Sequence, residues 1–492
     1  QAYWDAIRVD APVIARDSKE MMVRRPFVVA VAVAMGSVLW SACGDDDSPG
    51  ATDSWTIGAA LPSLPGPDAD GFLDLRGAIH AHSYYSHDAC DDMPVVDGVR
   101  DEQCFADLRR GMCQTRHDFI MFTDHPSDFR DAEFPDALLY RADRGDVLIE
   151  RNGMPVASWA GCEDVDPILI LAGSESSRVM PVGLEGHVDP NPAERGAVYS
   201  SDDPADAARM RAQGAVILLA HPEMFSVDEL AARDIDGFEM YNLHANLLQR
   251  EALGAAFRLL QRLTNGDPGL PHPDLALLPL VLEDDRYLDR WGSLLARGLR
   301  RVTTLGTDVH RNTLPTLMQD GERVDSYRRL LLWFSNHLLV APAADGSWDD
   351  RHLKDALRRG AVYGALALRG ALAGSRVRAQ AGGVSKPMGA EGSTADDPVL
   401  QVRAPRVRGL AADREPPELS TRILRAVEGG FVEVARSAGD LDFEPTEPGA
   451  YRAEIRIVPH HLREDLGDDA DELLARDYVW IYANPIYVAA GP

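Results

Sequence analysis

Asp118-Phe119-Ile120-Met121-Phe122-Thr123-Asp124-His125 is a short apolar run that breaks off at an acid and a histidine. An unbroken apolar run of this length fits a strand buried on both faces. The same shape recurs along the chain. Gly77-Ala78-Ile79 runs into His80, residues 168–172 into Gly173-Ser174-Glu175, and residues 215–220 into His221-Pro222. Gly237-Phe238 leads through Glu239-Met240-Tyr241 to Asn242, and residues 301–305 run into Gly306-Thr307-Asp308-Val309-His310. Helical patterns lie between, at 204–213, 246–263, 288–298, 326–339 and 351–360. Strands alternating with helices predict an α/β fold with a mainly parallel sheet. In a parallel β/α barrel the functional side chains sit where strands end, and the His, Asp and Glu residues fall there repeatedly.

The 492 residues are enough for two or three domains at roughly 100–200 residues each. Hydrophobic residues are 45% and charged residues 26%, a globular composition that excludes a disordered chain, a collagen and a polytopic membrane protein. Fifty Lys and Arg against 78 Asp and Glu leave a formal charge of −28. Such a surface repels nucleic acid, which is not an expected partner. A bound metal can still reverse the field locally.

The N-terminal stretch reads as targeting sequence. Arg24-Arg25, an apolar run at 27–40 and Ser41-Ala42-Cys43 have the layout of a secretory signal, with translation expected from Met21 or Met22. The run is shorter than the ~20 residues of a membrane span. Leu39-Trp40-Ser41-Ala42-Cys43 resembles a bacterial lipobox, with Trp40 in place of the usual small aliphatic residue. The resemblance implies lipidation at Cys43 and a lipid-anchored protein of the bacterial cell envelope, in the periplasm or at the cell surface. Residues 1–43 are therefore set apart from the fold, and 44–70, rich in Gly, Pro, Ser and Asp, read as a flexible tether. Cys90, Cys104, Cys113 and Cys162 remain, with three possible pairings that sequence cannot separate. Disulfides suit an exported protein, and free buried cysteines are the alternative.

Past the barrel region, 71–373, the texture changes. Residues 374–397 read as a linker, and 398–492 as a small all-β, sandwich-like domain of short alternating runs parted by turns.

His80-x-His82 places two imidazoles at i and i+2, on one face of a strand. Alone this is weak. It gains weight from His125, Glu175, His187, His221, Asp308 and His310, all at or just beyond strand ends, and from Asp308-x-His310, which repeats the spacing. Independent structural histidines would not gather there. Asp88 follows six residues after His82.

Together these motifs resemble the PHP (polymerase and histidinol phosphatase) superfamily of metallophosphoesterases. Its H-x-H-S/T-x-x-S motif matches His80-Ala81-His82-Ser83-Tyr84-Tyr85-Ser86, and its T-D-H matches Thr123-Asp124-His125. G-x-E matches Gly173-Ser174-Glu175, H-P matches His221-Pro222, and G-S-D-x-H matches Gly306-Thr307-Asp308-Val309-His310. The match covers roughly residues 74–370. It implies a distorted (β/α)7 TIM-like barrel with two or three divalent ions in its mouth. The implied ligands are His80, His82, Asp88, His125, Glu175, His187, His221, Asp308 and His310, with Glu175 bridging two metals. Some members place the third ligand one residue earlier, at His87. The Ser86-His87-Asp88-Ala89 string fits the longer spacing. Thr307 stands where Ser is frequent.

Six imidazoles with three carboxylates favour Zn, Mn or Fe over Ca or Mg. Such ions acidify a bound water for attack on a phosphate ester, so no Ser or Cys nucleophile is needed. Asp308 or His310 could carry the proton to the leaving group. Glu239 and Asn242 could orient ligands, or merely cap a strand end. Arg311 reads as a solvated loop arginine, with phosphate binding as the alternative. His117, His244, His272, His337, His352, His460 and His461 have no motif context. The expected activity is hydrolysis of a small phosphate ester, monoesters before diesters. Alternatives are a non-catalytic metal-binding or scaffold module and a metal hydrolase acting on another bond.

Overall fold

The computed structural model describes residues 56–61, 66–247 and 250–491. Cys43, the signal-like run and most of the expected tether lie outside them. Among the described residues no helix is long and apolar enough to cross a membrane. The described residues form one compact unit.

The unit is a mixed α/β structure. Among its strands are β1 (Leu73–Ala81), β2 (Phe119–Phe122), β3 (Ile168–Gly173), β4 (Met180–Leu184) and β5 (Val216–Leu218). Next come β6 (Gly237–Asn242), β7 (Val302–Val309), β8 (Ser335–Val340) and β9 (Val362–Ala365). Strands β6, β7, β1, β2 and β3 are neighbours in that order and all parallel. Their apolar runs are buried throughout, as strands covered on both faces must be. Beyond β3, strands β4 and β5 continue antiparallel. Asp236 N then donates to Ile217 O at 2.8 Å and Glu239 N to Leu219 O at 3.0 Å, linking β5 to β6.

Helices Pro204–Ala212, Arg250–Thr264, Asp285–Ala296 and Asp350–Arg359 lie where the sequence pattern places them. The stretch 326–339 differs. Helix Tyr327–Trp333 ends early and Ser335–Val340 is a strand. That segment is antiparallel to both β1 and β9. Asn336 fixes it by bonding both the N–H and the C=O of Leu305. The apolar run 330–334 is too short for its periodicity to separate the two forms.

The C-terminal strands β10 (Glu418–Val427), β11 (Gly449–Val458) and β12 (Tyr478–Ala483) are antiparallel. They join the central sheet where Tyr363 and Gly364 of β9 pair with Ala483 and Tyr482. A separate antiparallel sheet of four short strands, Val384–Pro387, Arg376–Ala381, Val399–Arg403 and Leu441–Phe443, lies beside it. Residues 374–397, read as a linker, therefore carry strands. Val377, Ala379 and Met388 are buried there among the glycines and serines that suggested a tether. The end of the expected flexible tether is also held: Arg378 Nε donates to Asp70 at 3.0 Å, and Ser385 Oγ does so at 3.0 Å.

Candidate metal centre

The ends of β1, β2, β3 and β7 bring most of the motif residues together. His80 closes β1 on a bulge, where the register with both β2 and β7 slips between Ile79 and Ala81. Its φ of 71° is left-handed, unusual for a residue with a side chain. The ring contact of His80 with His82, 5.2 Å between centroids, thus arises at an irregularity rather than on a regular pleat. Asp308 at the end of β7 has φ 52°. Backbone strain held in place by surrounding structure is common at functional sites.

Two clusters result, sharing His82. His80, His82 and Asp308 form one, and His82, Asp88, His125 and His310 the other; within each, the potential ligand atoms lie within 4.8 Å of one another. His80 Nε2 is 3.0 Å and His82 Nε2 3.3 Å from Asp308 Oδ1. Both ring nitrogens are buried, with no other hydrogen-bond partner, so two imidazole nitrogens and a carboxylate converge on one point. In the second cluster Asp88 Oδ2 lies 2.9 Å from His125 Nε2 and 3.3 Å from His310 Nε2. The His310 ring stacks on His82 at 3.8 Å. Glu175 adjoins, with Oε2 2.9 Å from His125 Nδ1 and Oε1 4.0 Å from His221 Nε2.

One expected ligand falls elsewhere. His187 Nδ1 is 3.0 Å from the Tyr199 hydroxyl and Nε2 is 3.0 Å from the Ala132 carbonyl, with both nitrogens engaged away from the clusters. His87 is half exposed and faces Asp128 at 2.7 Å, so the structure brings in Asp88 and not His87. Arg311 turns to Asp107 at 3.0 Å.

Supporting residues hold the free edges of the ligands. Glu239 Oε1 lies 2.8 Å from His80 Nδ1, while Glu239 Oε2 accepts from Asn242 at 2.9 Å. Gly306 makes room for that carboxylate: a Cβ there would stand 2.1 Å from it. Thr307 Oγ1 donates to the His80 carbonyl at 2.8 Å. Sequence reading missed three more. Ser86 Oγ lies 3.2 Å from His82 Nδ1 and donates to Asp88 at 2.9 Å. Ser83 donates to Asp124 through its N–H and its hydroxyl, at 2.6 and 2.7 Å. Glu223 Oε1 lies 3.4 Å from His221 Nδ1. Ser83 and Ser86 stood in the matched H-x-H-S/T-x-x-S motif without a role assigned, and Glu223 had only its place two residues after His221 as a signal.

Electrostatics follow from burial and these contacts. Burial together with the neighbouring His310 ring pushes His82 down to about 3, leaving it neutral, as a ligand must be. Burial opposes charge on His125, but the Asp88 and Glu175 carboxylates outweigh it and raise the ring to about 12. Burial raises Asp124 to about 6 despite its bonds from Ser83.

Buried imidazole lone pairs convergent with carboxylate oxygens are the donor set a divalent ion takes. These clusters could hold metal ions. No family model, curated protein or solved structure matches the chain.

Proposed function

We propose that this chain is an exported, metal-dependent hydrolase of phosphate esters of the PHP type, with phosphomonoesters favoured. The observation that carries the proposal is the pair of clusters joined at His82, with the Nε2 atoms of His80 and His82 buried and aimed at Asp308. His80, His82 and Asp308 would hold one ion. Asp88, His125 and His310 would hold a second, with Glu175 between them and His221. The mixed nitrogen and oxygen donors favour Zn, Mn or Fe, in two or three copies. Bound ions would supply charge to the phosphate oxygens and an acidified water for attack.

The residues of the chain do the rest. Glu239, anchored by Asn242, fixes the His80 ring, and Ser86 holds His82 and Asp88 in one arrangement. Asp308 or His310 would pass a proton to the departing alcohol. The site lies where parallel strands end, and the β5–β6 hydrogen bonds support closure of β1 to β7 into a distorted barrel. Export is supported by the two disulfides, Cys90–Cys104 and Cys113–Cys162, which suit an oxidising compartment. Anchoring through Cys43 rests on the sequence alone.

Turnover of p-nitrophenyl phosphate and bis-p-nitrophenyl phosphate by the full chain, with Mn or Zn added, tests the proposal. Hydrolysis that His80→Ala abolishes, faster on the monoester, is the expected result. Metal-loaded protein that cleaves neither ester contradicts it.

A further inference from the structure

The segment that joins His82 to Asp88 contributes Tyr84 and Tyr85 to an open pocket of about 380 Å³, lined also by Arg100, Glu102, Asp136 and Arg141. It is built from the chain segments that leave the clusters. Tyr84 and Tyr85 sit between His82 and Asp88. The opposite wall, within 131–136, follows helix Pro126–Phe129, which His125 begins. Three residues of chain span at most about 11 Å, so Tyr85 stays within reach of a small ester bound at His82 and Asp88.

The walls are fixed before any ligand arrives. Arg100 donates to the Tyr84 carbonyl at 2.9 Å, and its guanidinium lies 3.9 Å over the Tyr85 ring. Arg141 bonds the Tyr84 hydroxyl and Glu102, the latter at 2.9 Å. Arg100 also ends a hairpin, Val95–Val96 with Val99–Arg100, inside the loop closed by Cys90–Cys104. Such a frame lowers the ordering cost of binding.

The chemistry of the lining narrows the occupant. Guanidinium donors, phenols and carboxylate acceptors line the pocket together, with Asp131 and Glu133 among the acceptors. An alkyl leaving group would offer these groups no hydrogen bond in exchange for the water it displaces. A second phosphate would meet the carboxylates. Hydroxyls both donate and accept, so a ligand rich in them satisfies donors and acceptors alike. We infer that this pocket takes the alcohol half of the ester and that this half is a polyol, a hexose or a cyclitol, resting on the phosphoesterase reading above.

The test compares kcat/KM of the full chain on an inositol monophosphate, a hexose monophosphate, n-butyl phosphate and p-nitrophenyl phosphate. A polyol ester should exceed n-butyl phosphate by about ten-fold or more, the worth of one or two hydrogen bonds to charged groups. Arg100→Ala and Asp136→Asn should each lower the polyol ester about ten-fold more than p-nitrophenyl phosphate, chiefly through KM. Equal turnover of n-butyl phosphate, or equal losses on every ester, overturns the inference. If no ester is cleaved, the phosphoesterase reading fails and the pocket is judged by calorimetric titration with free inositol and glucose. Binding that Arg100→Ala removes then upholds the polyol site, and no binding of either overturns it.

Discussion

At Gly306 a methyl group would stand 2.1 Å from the Glu239 carboxylate, so His80 keeps its buried partner only while that position is bare. Gly306→Ala and Glu239→Gln should each weaken metal binding by about 10–100-fold, the usual cost of losing the group that orients a ligand. Competition with a chromophoric chelator measures this. Asp88→Ala should lose affinity at least as strongly, whereas His87→Ala and His187→Ala should retain it, since those two rings have their partners elsewhere. The H-x-H and D-x-H spacings were legible because ligand pairs need a short repeat. The bulge that brings His80 to His82 was not, since it depends on the register with two neighbouring strands. The partners of His187 were equally hidden: Tyr199 and Ala132 reach it only through tertiary packing.

Among the elements, helix Glu102–Thr115 carries both Cys104 and Cys113, and each closes a different loop. The sequence allowed three pairings because loop lengths do not choose between them; Cα separations of 5.9 and 5.6 Å do. With separations of 14 and 49 residues, loss of the bridges should cost about 3 and 4 kcal/mol by chain entropy. Urea unfolding of the two Cys-to-Ser pairs reads this. Removing Cys90–Cys104 should also weaken metal binding, because Cys90 holds the Asp88 loop against the His310 carbonyl at 3.1 Å.

Strand β11 carries a charged counterpart. Glu454 is fully buried, 2.8 Å from Arg452 and 3.1 Å from Arg456, and it also pairs with Arg422. Burial alone would raise its pKa, but the three guanidiniums win and hold it at about 2. A carboxylate depressed in the fold stabilises above its unfolded value, near 4.5, and loses that contribution as pH falls toward 2. Glu454→Gln should cost about 3–5 kcal/mol at neutral pH by leaving buried arginines uncompensated. It should also flatten the acid limb of the stability curve over that window.

On the scale of the whole molecule, the C-terminal strands complete the central sheet. Tyr363 pairs with Ala483, and Asn484 bonds the N–H and C=O of Thr303 on β7. The alternating pattern of 398–492 made its strands legible, but their attachment is a long-range pairing that no local pattern encodes. The full chain should therefore unfold in a single cooperative thermal step, and a chain cut at 397 should lose it. A separate C-terminal domain would instead leave a folded N-terminal part with its own transition. The strand and helix order of 71–373 was readable because buried parallel strands leave unbroken apolar runs. The switch from helix to strand at 335–340 was not, because both of its partners lie far away in sequence.

The central claim is that the residues at the strand ends hold divalent metal through a shared His82. Elemental analysis of purified full chain and of His82→Ala, after loading with Mn or Zn and desalting, tests it most directly. The account predicts two or three ions per chain, falling to one or none in His82→Ala because that ring serves both clusters. Wild-type protein that retains no metal, or a variant that retains as much as the wild type, would contradict it.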